Sequence, residues 1–259
     1  MIIDMHCHIV PEDFPGIPNL PVMQHLDDGN ADMMIGGKKF RSFRDTAWDA
    51  AKRIEDLPNI GVDKQVVSPL PELLMYHLDS ADGSKLASHL NETIGTVVRE
   101  HPEHYYGLGS VPMQDVELAV SELSHVKELG LSGVEIRTNI EGQNLGDPKF
   151  RPFFREAARL DLAILVHANK PTFADRLADA PDALGADAAI GFGIECGLAG
   201  ASLIWGGVLA ELPNLRICMS HGGGVLMQLL ARSDNHYRNR KAIGDLLPEA
   251  PLDYARLLY

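Results

Sequence analysis

Along most of the chain, short apolar runs alternate with longer stretches in which apolar and polar residues are mixed. The runs Met1–Met5, Lys64–Ser68, Tyr105–Ser110, Gly133–Arg137, Ala163–His167 and Arg216–Ser220 read as strands buried on both faces, because they carry little of the polar alternation of a half-exposed strand. Between them the spacing predicts helices over about Ala81–Arg99, Val116–Leu129, Arg151–Leu160, Gly197–Glu211 and Val225–Arg240. Gly130 suits a left-handed helix end, Asp147-Pro148 a helix start, and Pro213-Asn214 a stop before the sixth run. Strands alternating with helices predict an α/β fold with a parallel sheet. The region from about residue 9 to 44 breaks this rhythm: it is rich in Pro, Gly and Asp, shows no clear helix, and reads as a structured insertion in one domain spanning 1–259.

Counting units leaves two architectures. Six strand–helix units are legible where a closed (β/α)8 barrel needs eight, and PLDYARLLY at the end of the sequence looks like an approach helix to a seventh strand. An open six-stranded α/β sheet is the rival.

Composition narrows the chemistry. No window reaches about 18 consecutive apolar residues, and MIIDMHCH lacks the basic-then-apolar order of a leader, so a cytoplasmic protein away from membranes is expected. A net charge of −13 argues against a nucleic-acid partner, yet leaves room for a small anionic substrate held by a few arginines. Cys7, Cys196 and Cys218 are too few and scattered for a disulfide framework and are expected as reduced thiols.

Three histidine-bearing runs carry the candidate chemistry. His6 and His8 are two residues apart, so on a strand they share a face, and Asp4 is expected on that face too. Two such imidazoles can reach one cation; two satisfied histidines would look the same in the sequence. His167 ends the apolar AILV run, where it could be a third ligand or a strand cap. His221 precedes three glycines that permit a sharp turn into the next helix, whose opening N–H groups are expected to favour an anion. Sheet enzymes build their sites at this edge of the strands.

The ordered set MIIDMHCH, LVHANKP and CMSHGGG, with FRSFRDTAWD, YYGLGSVPMQDVELAV and ELGLSGVEIRTN between them, resembles the amidohydrolase superfamily. Within it, the set is similar to the branch typified by aminocarboxymuconate-semialdehyde decarboxylase, from residue 1 to about Arg240. The resemblance implies a TIM-type barrel in which His6, His8 and His167 bind one divalent metal ion, zinc first and manganese second. It implies acid–base catalysis by His221, a substrate carboxylate on Arg41, and Arg232 lent to a neighbouring subunit, hence a homodimer. It also implies an aspartate ligand ending an eighth strand. Nothing after Tyr254 supplies one, Asp234 and Asp245 have no strand before them, and Asp4 lies too deep. The expectation is therefore a barrel that stops before its last two strands.

The expected activity is metal-dependent, non-oxidative decarboxylation of a small muconate- or hydroxybenzoate-like acid. A cation-activated water could instead hydrolyse a lactone, an amide or a C–C bond. A binding module or inactive remnant is the reading from another class. Residues 172–192 should line the substrate pocket.

Overall fold

The computed structural model describes residues 1–177, 183–240 and 247–259. Six strands form one parallel sheet: β1 (Ile3–Ile9), β5 (Lys64–Pro69), β6 (Tyr105–Gly109), β7 (Gly133–Arg137), β10 (Ala163–His167) and β11 (Ile217–Met219), in that spatial order. Sequential neighbours pair with helices between them, the βαβ arrangement that the alternation of runs predicts. Leu258 bridges Ile217 in parallel, and Tyr259 exchanges backbone hydrogen bonds with Ile217 and Met219, so further chain begins to pair beyond β11. The architecture is an α/β half-barrel.

The insertion folds as an antiparallel sheet of β2 (Val22–His25), β3 (Ala31–Ile35) and β4 (Lys38–Phe43). It packs Met33 and Ile35 with Val10, Leu70 and Leu73 in a small core of its own beside the barrel. A further helix, α1 (Ala50–Ile60), follows it and was not expected from the sequence. Its apolar positions are sparse and Pro58 interrupts its last turns, but Asp49 caps its start by accepting from the Lys52 N–H, and Gly61 closes it at φ 70°.

The short α5 (Ala183–Ala186) was not expected either, whereas α2 (Ser80–Glu100), α3 (Val116–Glu128), α4 (Arg151–Arg159), α6 (Phe192–Trp205), α7 (Val208–Glu211), α8 (Leu226–Arg238) and α9 (Pro251–Ala255) fall on or overlap the expected stretches. The single helix expected over Gly197–Glu211 is two, α6 and α7, broken where Gly207 takes φ 76°. Between β7 and α4 lies a two-residue hairpin, β8 (Asn139–Ile140) with β9 (Gln143–Asn144).

The sheet separates two apolar compartments. On its helix side Cys7, Val67, Val134, Ile136, Ile164, Val166 and Ile217 pack against Phe150, Phe153, Phe154 and Leu203. On its inner side Ile3, Val66, Leu108, Leu165 and Cys218 form a smaller floor. Burying both faces accounts for strands that read as continuous apolar runs.

Asp4 departs from the expected placement. On β1 it pairs with Gln65, and Cys7 pairs with Val67, so three steps on β1 face two on β5. This bulge reverses the alternation. Asp4 thereby joins Gln65 and Cys7 on the helix side, accepting from Gln65 Nε2 at 3.3 Å, while His8 pairs with Ser68 on the inner side. Asp234 is occupied as well, accepting from the Leu252 N–H at 2.9 Å and tying α9 to α8. Asp245 lies outside the described residues.

Candidate metal centre and its surroundings

His6, His8 and His167 meet at the C-terminal edge of the sheet, one ligand atom of each lying within 4.8 Å of the others. His6 Nε2 is 3.1 Å from His8 Nε2 and 2.8 Å from His167 Nε2. Their ring orientations follow from what the other nitrogens do. His8 Nδ1 lies 3.1 Å from the Pro69 carbonyl, and His167 Nδ1 lies 2.7 Å from the Ala168 carbonyl. A carbonyl oxygen only accepts, so each Nδ1 carries the proton and each Nε2 presents a lone pair. Two lone pairs thus converge on His6 Nε2, which has at most one proton to offer them.

Burial favours the neutral form of these rings, most strongly at His167 and His8. Desolvation, followed by the charge of His6, holds His8 down to about pKa 4. His167 is depressed further by its burial and by His8 and His6, and His6 itself is lowered by burial. A divalent cation fits this donor set: neutral imidazoles at about 2.0–2.1 Å in tetrahedral geometry place their nitrogens about 3.3 Å apart. The two separations from His6 Nε2, 3.1 and 2.8 Å, approach that value.

His221 stands beside the triad, its ring centroid 5.0 Å from that of His167 and 5.6 Å from that of His6. Its Nδ1 contacts Ser220 Oγ at 3.0 Å and Cys196 Sγ at 3.4 Å. The residue adopts φ 52°, ψ 34°, a conformation rare for a side chain with a Cβ and characteristic of functional sites. Gly222, Gly223 and Gly224 continue the positive φ; a Cβ on Gly224 would meet the Gly193 carbonyl oxygen at 1.8 Å, so only glycine lets α6 and this turn approach. The expected anion site at the start of α8 is less open than the sequence suggests. The Gly224 N–H donates to His221 and the Val225 N–H to Gly193.

The arginines separate. Arg41 is exposed on β4, its guanidinium 5.1 Å from the Phe40 ring centre, and lines a cleft of about 500 Å³ that also includes His8 and Arg53. Arg232 is exposed on α8. Of the expected pocket segment, residues 178–182 lie outside the described residues. Thr172 is anchored: its N–H and hydroxyl both donate to Glu195 of α6 at 2.6 Å.

Several side chains at this edge were not singled out from the sequence. Arg53 donates to the His8 carbonyl at 2.8 Å and to Gln65 Oε1 at 2.9 Å, bracing β1 from α1. Arg137, buried at the end of β7, packs over the Tyr76 ring at 5.2 Å and donates to Glu141 at 3.1 Å. Glu135, also on β7, is fully buried, and burial pushes its carboxyl up to about pKa 8. A charge in the middle of the apolar run GVEIR was the available signal for Glu135.

Comparison with known proteins gives the same edge a lineage. A family model for amidohydrolases matches residues 3–257. A 2-amino-3-carboxymuconate-6-semialdehyde decarboxylase of Dictyostelium discoideum is 36% identical over 245 residues, covering 92% of this chain and 67% of that protein. The crystal structure of 5-carboxyvanillate decarboxylase from Sphingomonas paucimobilis superposes with a TM-score of 0.71 at 28% identity, over 79% of this chain and 62% of that one. A manganese-bound mutant of the 5-carboxyvanillate decarboxylase from Novosphingobium aromaticivorans superposes with a TM-score of 0.66 at 30% identity, over 74% of this chain and 56% of that one. This chain therefore spans about two thirds or less of the length of these relatives. With the match running through all six strands and the histidines that end three of them, the chain belongs to the amidohydrolase family.

Proposed function

We propose that the protein is a metal-dependent, non-oxidative decarboxylase of small unsaturated carboxylic acids of muconate or hydroxybenzoate type. The observation that carries this reading is a fourth histidine, His221, set beside three imidazoles whose tethered Nδ1 atoms leave their Nε2 atoms for a cation. The decarboxylase relatives support the same reaction class.

His6, His8 and His167 would hold the ion. Zinc is the preferred assignment because the donors are all imidazole; manganese, bound in solved relatives, is the alternative. When bound, the cation supplies positive charge that stabilises developing negative charge and acidifies water. The protein's own residues do the rest. Arg41 orients a substrate carboxylate from the insertion sheet through charge-assisted hydrogen bonds. Cleavage of the C–C bond releases carbon dioxide and leaves the bonding electrons on the ring or chain carbon. His221 delivers a proton to that carbon from Nε2, because its Nδ1 is engaged with Ser220 and Cys196. Its pKa, lowered by burial and then by His6, makes it a ready proton donor once charged.

Arg232, exposed on α8, is assigned to a second subunit's site in a homodimer, and a cytoplasmic location accords with the acidic composition. The test is carbon dioxide release from a panel of carboxymuconates, hydroxybenzoates and carboxyvanillate by zinc- and manganese-loaded protein. Stoichiometric carbon dioxide with the protonated product supports the proposal. Hydrolysis of lactones or amides without carbon dioxide overturns it in favour of a hydrolase. Inactivity of metal-loaded protein on every substrate overturns it in favour of a binding role.

A further inference from the structure

Glu135 occupies a setting in which a carboxyl is costly. It is fully buried on β7, and its carboxylate oxygens meet no donor in good hydrogen-bond geometry, although the Ser68 hydroxyl lies close enough to favour the charged form. Buried polar groups are nearly always satisfied, and an exception calls for a physical reason. Glu135 Oε2 lies 3.6 Å from His8 Nδ1, and Ser68 Oγ lies 3.0 Å from the same nitrogen. The two nitrogens of an imidazole point to opposite sides of the ring. The carboxyl therefore stands behind His8, while His8 Nε2 faces His6 and His167. Positive charge drawn onto the ring through Nε2 would be felt at Nδ1–H, next to the buried carboxyl. Carboxylates placed behind metal-binding histidines fix ring orientation and raise donor strength in this way.

We propose that Glu135 is a positioning residue for the metal, a buried counter-charge behind His8 whose cost to the fold is offset when a divalent cation occupies the Nε2 side. The inference rests on the metal reading above. It predicts opposite signs for two measurements on one substitution. Without metal, Glu135 is a burden on the fold, and its removal stabilises. With metal, it strengthens binding, and its removal weakens affinity. A residue that merely packs the core would lower both.

The test uses the full 259-residue chain, stripped of metal, as wild type, Glu135→Gln and Glu135→Leu. Affinity for Zn2+ and Mn2+ is read by competition with a chromophoric chelator, and the thermal midpoint is read on the metal-free samples. The expected result is affinity weakened by about 10–100-fold in both variants, together with a raised metal-free midpoint in Glu135→Leu, which alone removes the buried polar group. Unchanged affinity, or a metal-free midpoint that is not raised in Glu135→Leu, overturns the assignment of Glu135 while leaving the metal reading intact. A wild-type chain that binds neither ion overturns the metal reading and this inference with it.

Discussion

His167 and the His6–His8 pair reach the same point from strands in contrasting settings. β10 is bonded on both sides, to β7 and β11, and its AILV run is packed in the two compartments of the sheet. β1 is bonded to β5 on one side only among the described residues, carries a bulge, and leaves Met5 52% exposed and His6 at the surface. His167 is therefore placed by the core, and its ring by one adjacent carbonyl. His6 and His8 are placed by a local network instead. Arg53 holds the His8 carbonyl, Gln65 links Arg53 to Asp4, Asp4 accepts from the His6 N–H at 3.1 Å, and Pro69 and Ser68 contact the His8 ring. A site with one wall made by packing and the other by polar bracing separates ligand loss from ligand misplacement.

The largest effects should come from removing ligands outright. His167→Ala and His6→Ala are each expected to abolish stoichiometric metal and all measurable turnover, read by elemental analysis and carbon dioxide release. Retention of metal by either variant would break the three-histidine assignment. His221→Ala should keep its metal and lose turnover by about 10²–10⁴-fold, because it removes the proton donor alone. Metal loss in that variant would make His221 a ligand.

Bracing should matter less than ligation. Arg53→Ala leaves all three ligands present but frees β1, and is expected to weaken metal affinity by about 10–100-fold, as outer-layer substitutions do. An unchanged affinity would show that the strand pairing of β1 suffices to hold its histidines. Arg41→Ala, in the insertion sheet, should raise KM by roughly tenfold with kcat little altered, provided the carboxylate is gripped equally in the ground and transition states.

Acidification probes both walls with the smallest effect. The folded chain keeps His8 neutral to about pH 4, whereas in the unfolded chain the same ring titrates near 6.5. Between those values the unfolded state binds more protons, so the stability of metal-free protein should fall as pH drops from about 6.5 towards 4. His167, His6 and His221, all lowered chiefly by burial, act in the same sense. Glu135, raised by burial, opposes them and is outnumbered. Urea midpoints at pH 7, 6 and 5 should decline, and less steeply in His167→Ala; equal slopes would remove His167 from this account.

Much of the fold and part of the site were legible in the sequence. The apolar runs located all six barrel strands, and β7 and β10 match their runs residue for residue, because a strand buried on both faces leaves an unmistakable composition. The helices α2, α3, α4 and α8 emerged in place, whereas α1 did not, because it directly follows the irregular insertion and carries Pro58 within its last turns. The histidines announced themselves by ending apolar runs. Tertiary structure alone decided the rest. A bulge reversed the face of Asp4, the Pro69 carbonyl of the neighbouring strand selected the His8 tautomer, and Glu135 came to lie behind His8 although 127 residues separate them in the chain. Periodicity along the chain specifies which side chains belong to a buried strand. Register across the sheet specifies which of them meet, and register depends on contacts that no single segment contains.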